Sequence, residues 1–188
     1  MITVSRSSMS CTFPAKFLMI GSLNPCPCGY LTDSSRDCRC SPFQIQNYHA
    51  KLSGPLLDRI DLHVDVPAVK YQELSRGAPG EASAPIRERV QRARDRQLAR
   101  FHAHSGIFCN AHMRHRDIRK FCPLDEAGTT LLEQAMARTG LSARAYDRIL
   151  KVARTIADLA GDEQIGSAAL SEAIQYRTLD KDMWKAGR

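Results

Sequence analysis

The 188-residue chain is 43% hydrophobic and 25% charged, a globular composition that excludes a disordered or fibrous protein. Lys and Arg outnumber Asp and Glu by 27 to 20 and the pI is near 9.2, which suits a polyanionic partner such as a nucleotide or nucleic acid. No apolar run approaches the roughly 18 residues of a membrane span, and Met1 to Ser10 lacks the apolar region and cleavage site of a secretory signal, so a cytoplasmic protein is expected.

In chain order, Ile2–Arg6 is a short β-compatible run, followed by a polar, Ser-rich stretch to Thr12. Phe17–Ile20, continuous, apolar and bounded by turn formers, predicts a buried strand. Gly21 to Cys40 reads as a loop rich in Pro and Gly turns. Ser41-Pro42 predicts an N-cap with Pro at N1 and a helix to about Lys51. Ser53-Gly54-Pro55 breaks it, Leu56–Arg59 forms a short helical turn, and Ile60, Leu62, Val64 and Val66 alternate with Asp61, His63 and Asp65 as in a half-buried strand. Gly77 to Pro85 has the composition of a linker. Helices are then expected at about Ile86–His102, Met113–Phe121, Asp125–Arg138, Ser142–Ala160 and Ser167–Arg177. Ser142 and Ser167 are placed as N-caps, and Gly140 and Gly161 as C′ residues.

Five groups of residues have the chemistry for a site. Asn24 follows the strand expected at Phe17–Ile20. An amide at that edge suits a hydrogen bond to a lytic water or a phosphate oxygen, and an Asn-Pro turn is the alternative. Arg59, on a turn before a strand, suits a guanidinium reaching a neighbouring subunit's nucleotide; a surface ion pair with Asp58 or Asp61 is the alternative. Arg144 opens a helix on which Arg148 and Lys151 share a face opposite Tyr146, Ile149, Leu150, Ala153 and Ile156, either a phosphate-facing ridge or a solvated one.

Four of the seven cysteines form a C-x-C-x9-C-x-C cluster, Cys26, Cys28, Cys38 and Cys40. Four thiolates on one loop suit a tetrahedral zinc site, although the one-residue spacing is tighter than usual. Four reduced cysteines on a mobile loop are the alternative. From Pro85 to Lys120 there are ten Arg or Lys against three acidic residues. Arg89, Arg92, Arg96 and Arg100 share one helical face there, suited to a phosphate backbone, to a solvated surface or to a neighbouring protomer.

Gly21-Ser22-Leu23-Asn24-Pro25-Cys26-Pro27-Cys28-Gly29, Cys38-Arg39-Cys40, the run from Ser53 to Asp61, and Leu141-Ser142-Ala143-Arg144 with Ile149 to Leu159 together resemble the magnesium-chelatase-like AAA+ proteins. The match extends from about Ile2 to Asp180, and within the family the chain resembles the ComM-type branch, whose members act on DNA in natural transformation. The resemblance implies an α+β chain: the C-terminal part of an α/β AAA+ core over residues 1–67, a linker over 68–84, and an all-helical lid bundle over 85–181. It further implies that Asn24 is sensor 1, Arg59 the arginine finger and Arg144 a sensor-2 arginine acting on a neighbour's nucleotide. ATP with Mg²⁺, self-association into a ring and a DNA partner follow from the same resemblance. The sequence departs from the family in two respects: it contains no G-x-x-x-x-G-K-[ST] run and no apolar strand ending in Asp-Glu. The chain alone is therefore expected not to hydrolyse ATP. A stand-alone zinc-stabilised nucleic-acid-binding module, or part of a metal-chelatase motor, are the alternatives.

Overall fold

The computed structural model describes residues 1–185 apart from 16, 34, 68, 70–74 and 76–79. Most of the linker expected at 68–84 therefore lies outside the described residues. Among those described the fold is α+β: one two-stranded antiparallel sheet, seven α-helices and a single 3-10 turn. Among the described residues no helix is long and apolar enough to cross a membrane.

Strand β1 (Ile2–Arg6) pairs with β2 (Met9–Phe13) in the register Ile2 with Phe13, Val4 with Cys11 and Arg6 with Met9. Alternation puts Ile2, Val4, Met9, Cys11 and Phe13 on one face. The other face carries two hydroxyl pairs, Thr3 with Thr12 and Ser5 with Ser10, each at 2.9 Å. The stretch read as polar and Ser-rich is thus a strand, its serine and threonine hydroxyls pairing across the ribbon.

Two expected strands do not form. Phe17–Ile20 has no regular secondary structure and no strand partner among the described residues, and its side chains are exposed. The Ile60–Val66 segment is likewise without a sheet, and Leu62, Val64 and Val66 stand in solvent. Apolar alternation marks a segment as able to pair, but a strand needs a neighbouring strand to take its N–H and C=O groups, and none of the described residues forms one beside either segment.

The helices follow their local signals closely. Helix α1 (Pro42–His49) begins at Ser41, whose side chain accepts from Gln44 N while the Gln44 side chain accepts from Ser41 N, a complete capping box with Pro at N1. Helix α2 (Gly54–Leu57) is a single turn capped by Ser53. Helix α3 (Ser83–Phe101) starts about a turn before the expected Ile86, because Pro85 falls in the first turn, where a missing N–H breaks no bond. After the 3-10 turn Asn110–His112 come α4 (His115–Phe121), α5 (Glu126–Thr139), α6 (Ala143–Ala160) and α7 (Ser167–Lys185). Asp125 and Ser142 cap α5 and α6 by accepting from Gly128 N and Ala145 N. Gly140 and Gly161 end them at φ 58° and 93°, left-handed values that a Cβ makes costly. Ser167 is the first helical residue of α7, not its cap.

Helix α6 is the axis of the bundle and packs against α3, α4 and α7, while α5 packs on α7. Its buried side chains, Ala145, Ile149, Leu150, Ala153, Arg154, Ala157 and Asp158, recur at three- and four-residue spacing. Around it Phe101, Met113, Ile118, Cys122, Leu132, Ile165, Leu170, Ala173 and Ile174 close one hydrophobic core. Each fully buried aliphatic side chain contributes about 1.5–3 kcal/mol, so the bundle carries most of the chain's stability. Residues 1–41 have Cys26 as their one buried apolar side chain among those described.

Candidate functional site

The cysteine loop is built around a tight turn. Gly29 has φ 84°, and its N–H donates to Cys26 O at 3.0 Å. This turn folds Cys28 back over Cys26, with sulfurs 3.3 Å apart, and Cys38 lies 3.7 Å and 3.6 Å from them. Together with Cys40 the four sulfurs lie within 4.8 Å of one another. Zn–S bonds of about 2.3 Å at tetrahedral angles require S–S edges of about 3.8 Å, so the cage has the dimensions of a zinc–thiolate site. Its polarity also fits. The Tyr30 and Arg39 N–H groups point at the Cys28 sulfur and pull that thiol down to about 6. Burial and the adjacent Cys28 sulfur push Cys40 up to about 12. One thiolate forms readily and then resists the next, the situation a cation relieves.

Helix α1 anchors this loop. The His49 imidazole, buried, lies 2.8 Å from Pro25 O through Nε2, and Ile45 is buried beside it on the same face. Asn24 sits at the entrance, exposed, its amide about the Gly29 turn: a Cβ on Gly29 would lie 3.9 Å from Asn24 Nδ2. The strand that was to present Asn24 is not formed, so the amide borders the cysteine turn instead of a sheet edge.

Arg59 follows α2 and is exposed. Its guanidinium donates to Pro55 O, and among the described residues it has no carboxylate partner. Arg144, the second residue of α6, is exposed and also unpaired among the described residues. Among the described residues Arg59 does not take the ion pair with Asp58 or Asp61 that was its alternative, whereas Arg144 is solvent-exposed, as both of its readings have it. The flanking acids are paired elsewhere: Asp61 with Arg148 of α6, and Asp58 with Arg177 of α7 at 3.7 Å. Arg148 lies one turn beyond Arg144, so the Arg59 turn is brought to the Arg144–Arg148 ridge. Burial and the positive charges of Arg177 and Arg59 lower the Arg148 guanidinium's affinity for its proton. A cationic surface with its side chains held apart is the result.

The ridge on α3 divides in two. Arg89 pairs with Glu81 through both guanidinium nitrogens, at 2.9 and 3.1 Å, and Arg92 reaches Glu88 at 4.0 Å while remaining largely exposed. Arg96 instead donates to Gly161 O at 2.7 Å, neutralising the C-terminal end of α6. Arg100 binds Asp158 and donates to Asn110 Oδ1 at 3.0 Å. Helical periodicity places four arginines on one face without distinguishing a solvated charge from one that ties two helices together.

Arg177 and Asp158 were not singled out from the sequence. Both sit on apolar stripes, Arg177 after Leu170, Ala173 and Ile174, and Asp158 after Leu150, Ala153 and Ala157. A charge at the i+3/i+4 repeat of a buried face is the signal that marks such residues.

The family model described as "Magnesium chelatase, subunit ChlI" matches residues 1–74, and that described as "Magnesium chelatase, subunit ChlI C-terminal" matches residues 80–177. The chain is 42% identical over 179 residues to the competence protein ComM of Haemophilus influenzae, covering 95% of this chain and 34% of that protein. It is 39% identical over 181 residues to YifB of Escherichia coli and 40% identical over 181 residues to YifB of Salmonella typhimurium, covering 96% of this chain and 34% of each. The chain thus spans about a third of the length of the curated relatives it matches. Together the two family models match nearly the whole chain, which belongs to the magnesium chelatase ChlI family.

Proposed function

We propose that this chain forms the sensing and triggering part of a ring-assembled AAA+ ATPase that remodels DNA, with residues 1–67 in the nucleotide-hydrolysing core, 68–84 a linker and 85–181 the lid. The observation that carries the reading is the pair of exposed arginines, Arg59 and Arg144, which have no carboxylate partner among the described residues, while the neighbouring Asp61 and Asp58 pair with Arg148 and Arg177. An arginine held with its guanidinium in solvent is suited to meet a phosphate brought by another subunit. Arg59 stabilises charge on the transferred phosphoryl group as an arginine finger, and Arg144, at the N-terminus of α6, binds the same phosphates as sensor 2. Asn24 donates its amide to the attacking water or a phosphate oxygen. ATP with Mg²⁺ supplies the phosphoryl group and is gripped by sequence other than this chain's, which has no phosphate loop.

The choice of DNA as substrate rests on the ComM relationship and on the chain's excess of positive charge. Branch migration of recombination intermediates is the activity proposed, with metal insertion as the family's other chemistry. Zinc in the Cys26–Cys28–Cys38–Cys40 cage serves to order the loop that carries Asn24.

The test is subunit mixing in the complete protein. Rings of Arg59→Ala subunits bind ATP but lose most hydrolysis, and so do rings whose phosphate-loop lysine is removed. Mixed rings regain turnover, because an intact finger then faces an intact nucleotide site. Full turnover in the Arg59→Ala ring overturns the assignment.

A further inference from the structure

Arg177 occupies a core position of α7 and is 2% exposed. A buried guanidinium requires hydrogen-bonding partners, and among the described residues its partners come from outside the bundle. It donates to the carbonyl of Ile60 and pairs with Asp58 at 3.7 Å. Two further ties run the same way. Arg148 of α6 pairs with Asp61, and the His63 N–H donates to Tyr176 O at 3.0 Å. Asp58, Ile60, Asp61 and His63 are thus fastened to α6 and α7 on both sides of Arg59. On the N-terminal side, Ser53 and Gly54 close α2 through Leu57 N→Ser53 O at 3.1 Å and Asp58 N→Gly54 O at 2.9 Å. The backbone carrying Arg59 is held from both directions, and its guanidinium is left outside.

We infer that Arg148 and Arg177 are positioning residues: they clamp the Asp58–His63 segment of the core to the lid bundle, so that Arg59 and Arg144 form one rigid trans-acting unit. The inference rests on the reading of Arg59 and Arg144 as arginines that act on a neighbour's nucleotide, but the clamp itself is defined by contacts within this chain. Its consequence is mechanical: the core segment that carries Arg59 and the lid helix that carries Arg144 keep a fixed relation, so the two arginines are presented to a neighbouring subunit together.

The charge-swap series Asp61→Arg, Arg148→Asp and the double variant tests this, with Arg177→Lys as a variant that keeps the buried charge but loses the planar fork. Hydrogen exchange of the amides from Asp58 to His63, followed in the 188-residue chain, is expected to accelerate about tenfold in each single variant. It returns toward the wild-type rate in the double variant, while protection within α5–α7 is unchanged. In the complete ring the single variants are expected to lower kcat about tenfold or more with little change in KM for ATP, and the double variant to recover. Unchanged exchange in the single variants overturns the clamp. Faster exchange with undiminished kcat overturns the positioning role. An Arg59→Ala ring with full turnover overturns the finger reading, and with it the catalytic half of this inference, whereas the exchange result alone decides the clamp.

Discussion

The guanidinium of Arg100 on α3 grips both carboxylate oxygens of Asp158 on α6, 58 residues further along the chain. Asp158 is wholly buried, and its remaining lone pairs are taken by Asn110 Nδ2 at 2.8 Å and by Arg154, one turn earlier, at 3.2 Å. Arg154 in turn donates to the carbonyls of Asp162 and Glu163 at 2.7 and 2.8 Å, closing the loop after α6. A single carboxylate therefore holds two cations that fix α3, α6 and the loop into α7.

Replacing Asp158 with Asn leaves both cations buried without a counter-charge, and breaking such a pair costs about 3–5 kcal/mol. Denaturant unfolding of the variant should show that loss. The acid response gives a second check. Burial alone raises the Asp158 carboxyl, but the hydrogen bonds from Arg100 and Asn110 and the charges of Arg100 and Arg154 outweigh it and hold the group below its ordinary value. With a folded value below the unfolded one, near about 3.9, the stabilisation is complete above that value and is lost as pH falls through the folded value. The wild-type melting temperature should thus drop more steeply on acidification below about pH 4 than that of Asp158→Asn, and parallel curves would contradict the assignment.

The division of the α3 ridge predicts that its arginines do different jobs. Arg92→Ala should weaken DNA binding about equally for all sequences, reduce the slope of log K against log salt by about one, and leave the melting temperature unchanged. Arg100→Ala should instead lower the melting temperature, because Asp158 loses its bidentate partner. Unaltered DNA affinity in Arg92→Ala, measured by fluorescence anisotropy at two salt concentrations, would remove α3 as a nucleic-acid surface.

Zinc in the cysteine cage predicts a local unfolding on metal removal. The chain purified without added zinc should carry about one equivalent by elemental analysis, as a four-thiolate site requires; less than a tenth of an equivalent would rule the site out. A strong chelator, or Cys28→Ser with Cys38→Ser, should open the cysteine loop before α1 to proteolysis, since the cage and the His49–Pro25 contact are what tie it down among the described residues. Because the helical core shares none of these residues, its melting transition should not move.

The helices of the bundle were legible in the sequence because their ends are decided locally. Ser142 accepts from Ala145 N, and Gly140 and Gly161 take the left-handed conformation, all within a few residues of one another. Phe17–Ile20 and Ile60–Val66 were misread as strands for the converse reason: pairing depends on residues distant in sequence, and the described residues include none that pair with them. At the site, the exposed positions of Arg59 and Arg144 follow from turn and helix signals, whereas the Asp61–Arg148 and Asp58–Arg177 ties join residues that no spacing relates. Arg96 and Arg100 were grouped with Arg89 and Arg92 because a helical wheel reports direction around one axis and is blind to a second helix lying against it.

The same asymmetry predicts how the chain behaves when divided. Phe17, Leu18 and Ile20 are 75, 86 and 87% exposed, and Val64 and Val66 are 64 and 80% exposed, on segments that belong to no sheet among the described residues. Such edges pair with other chains, so the 188-residue protein should self-associate as its concentration rises. A fragment beginning at Glu81 keeps the whole hydrophobic core and should be monomeric by analytical ultracentrifugation, with a single cooperative melting transition. It will nevertheless have lost Asp58 and Ile60, the partners of Arg177, and a buried guanidinium left without them destabilises the bundle. A loss of about 1 kcal/mol shifts the melting temperature of a domain of this size by about 4–8 °C. Arg177→Met, which fills the same core position without a charge, should recover that shift in the fragment while producing none in the full chain, where the charge has its partners. If the substitution raises both melting temperatures equally, Arg177 is not satisfied by the Asp58–Ile60 turn.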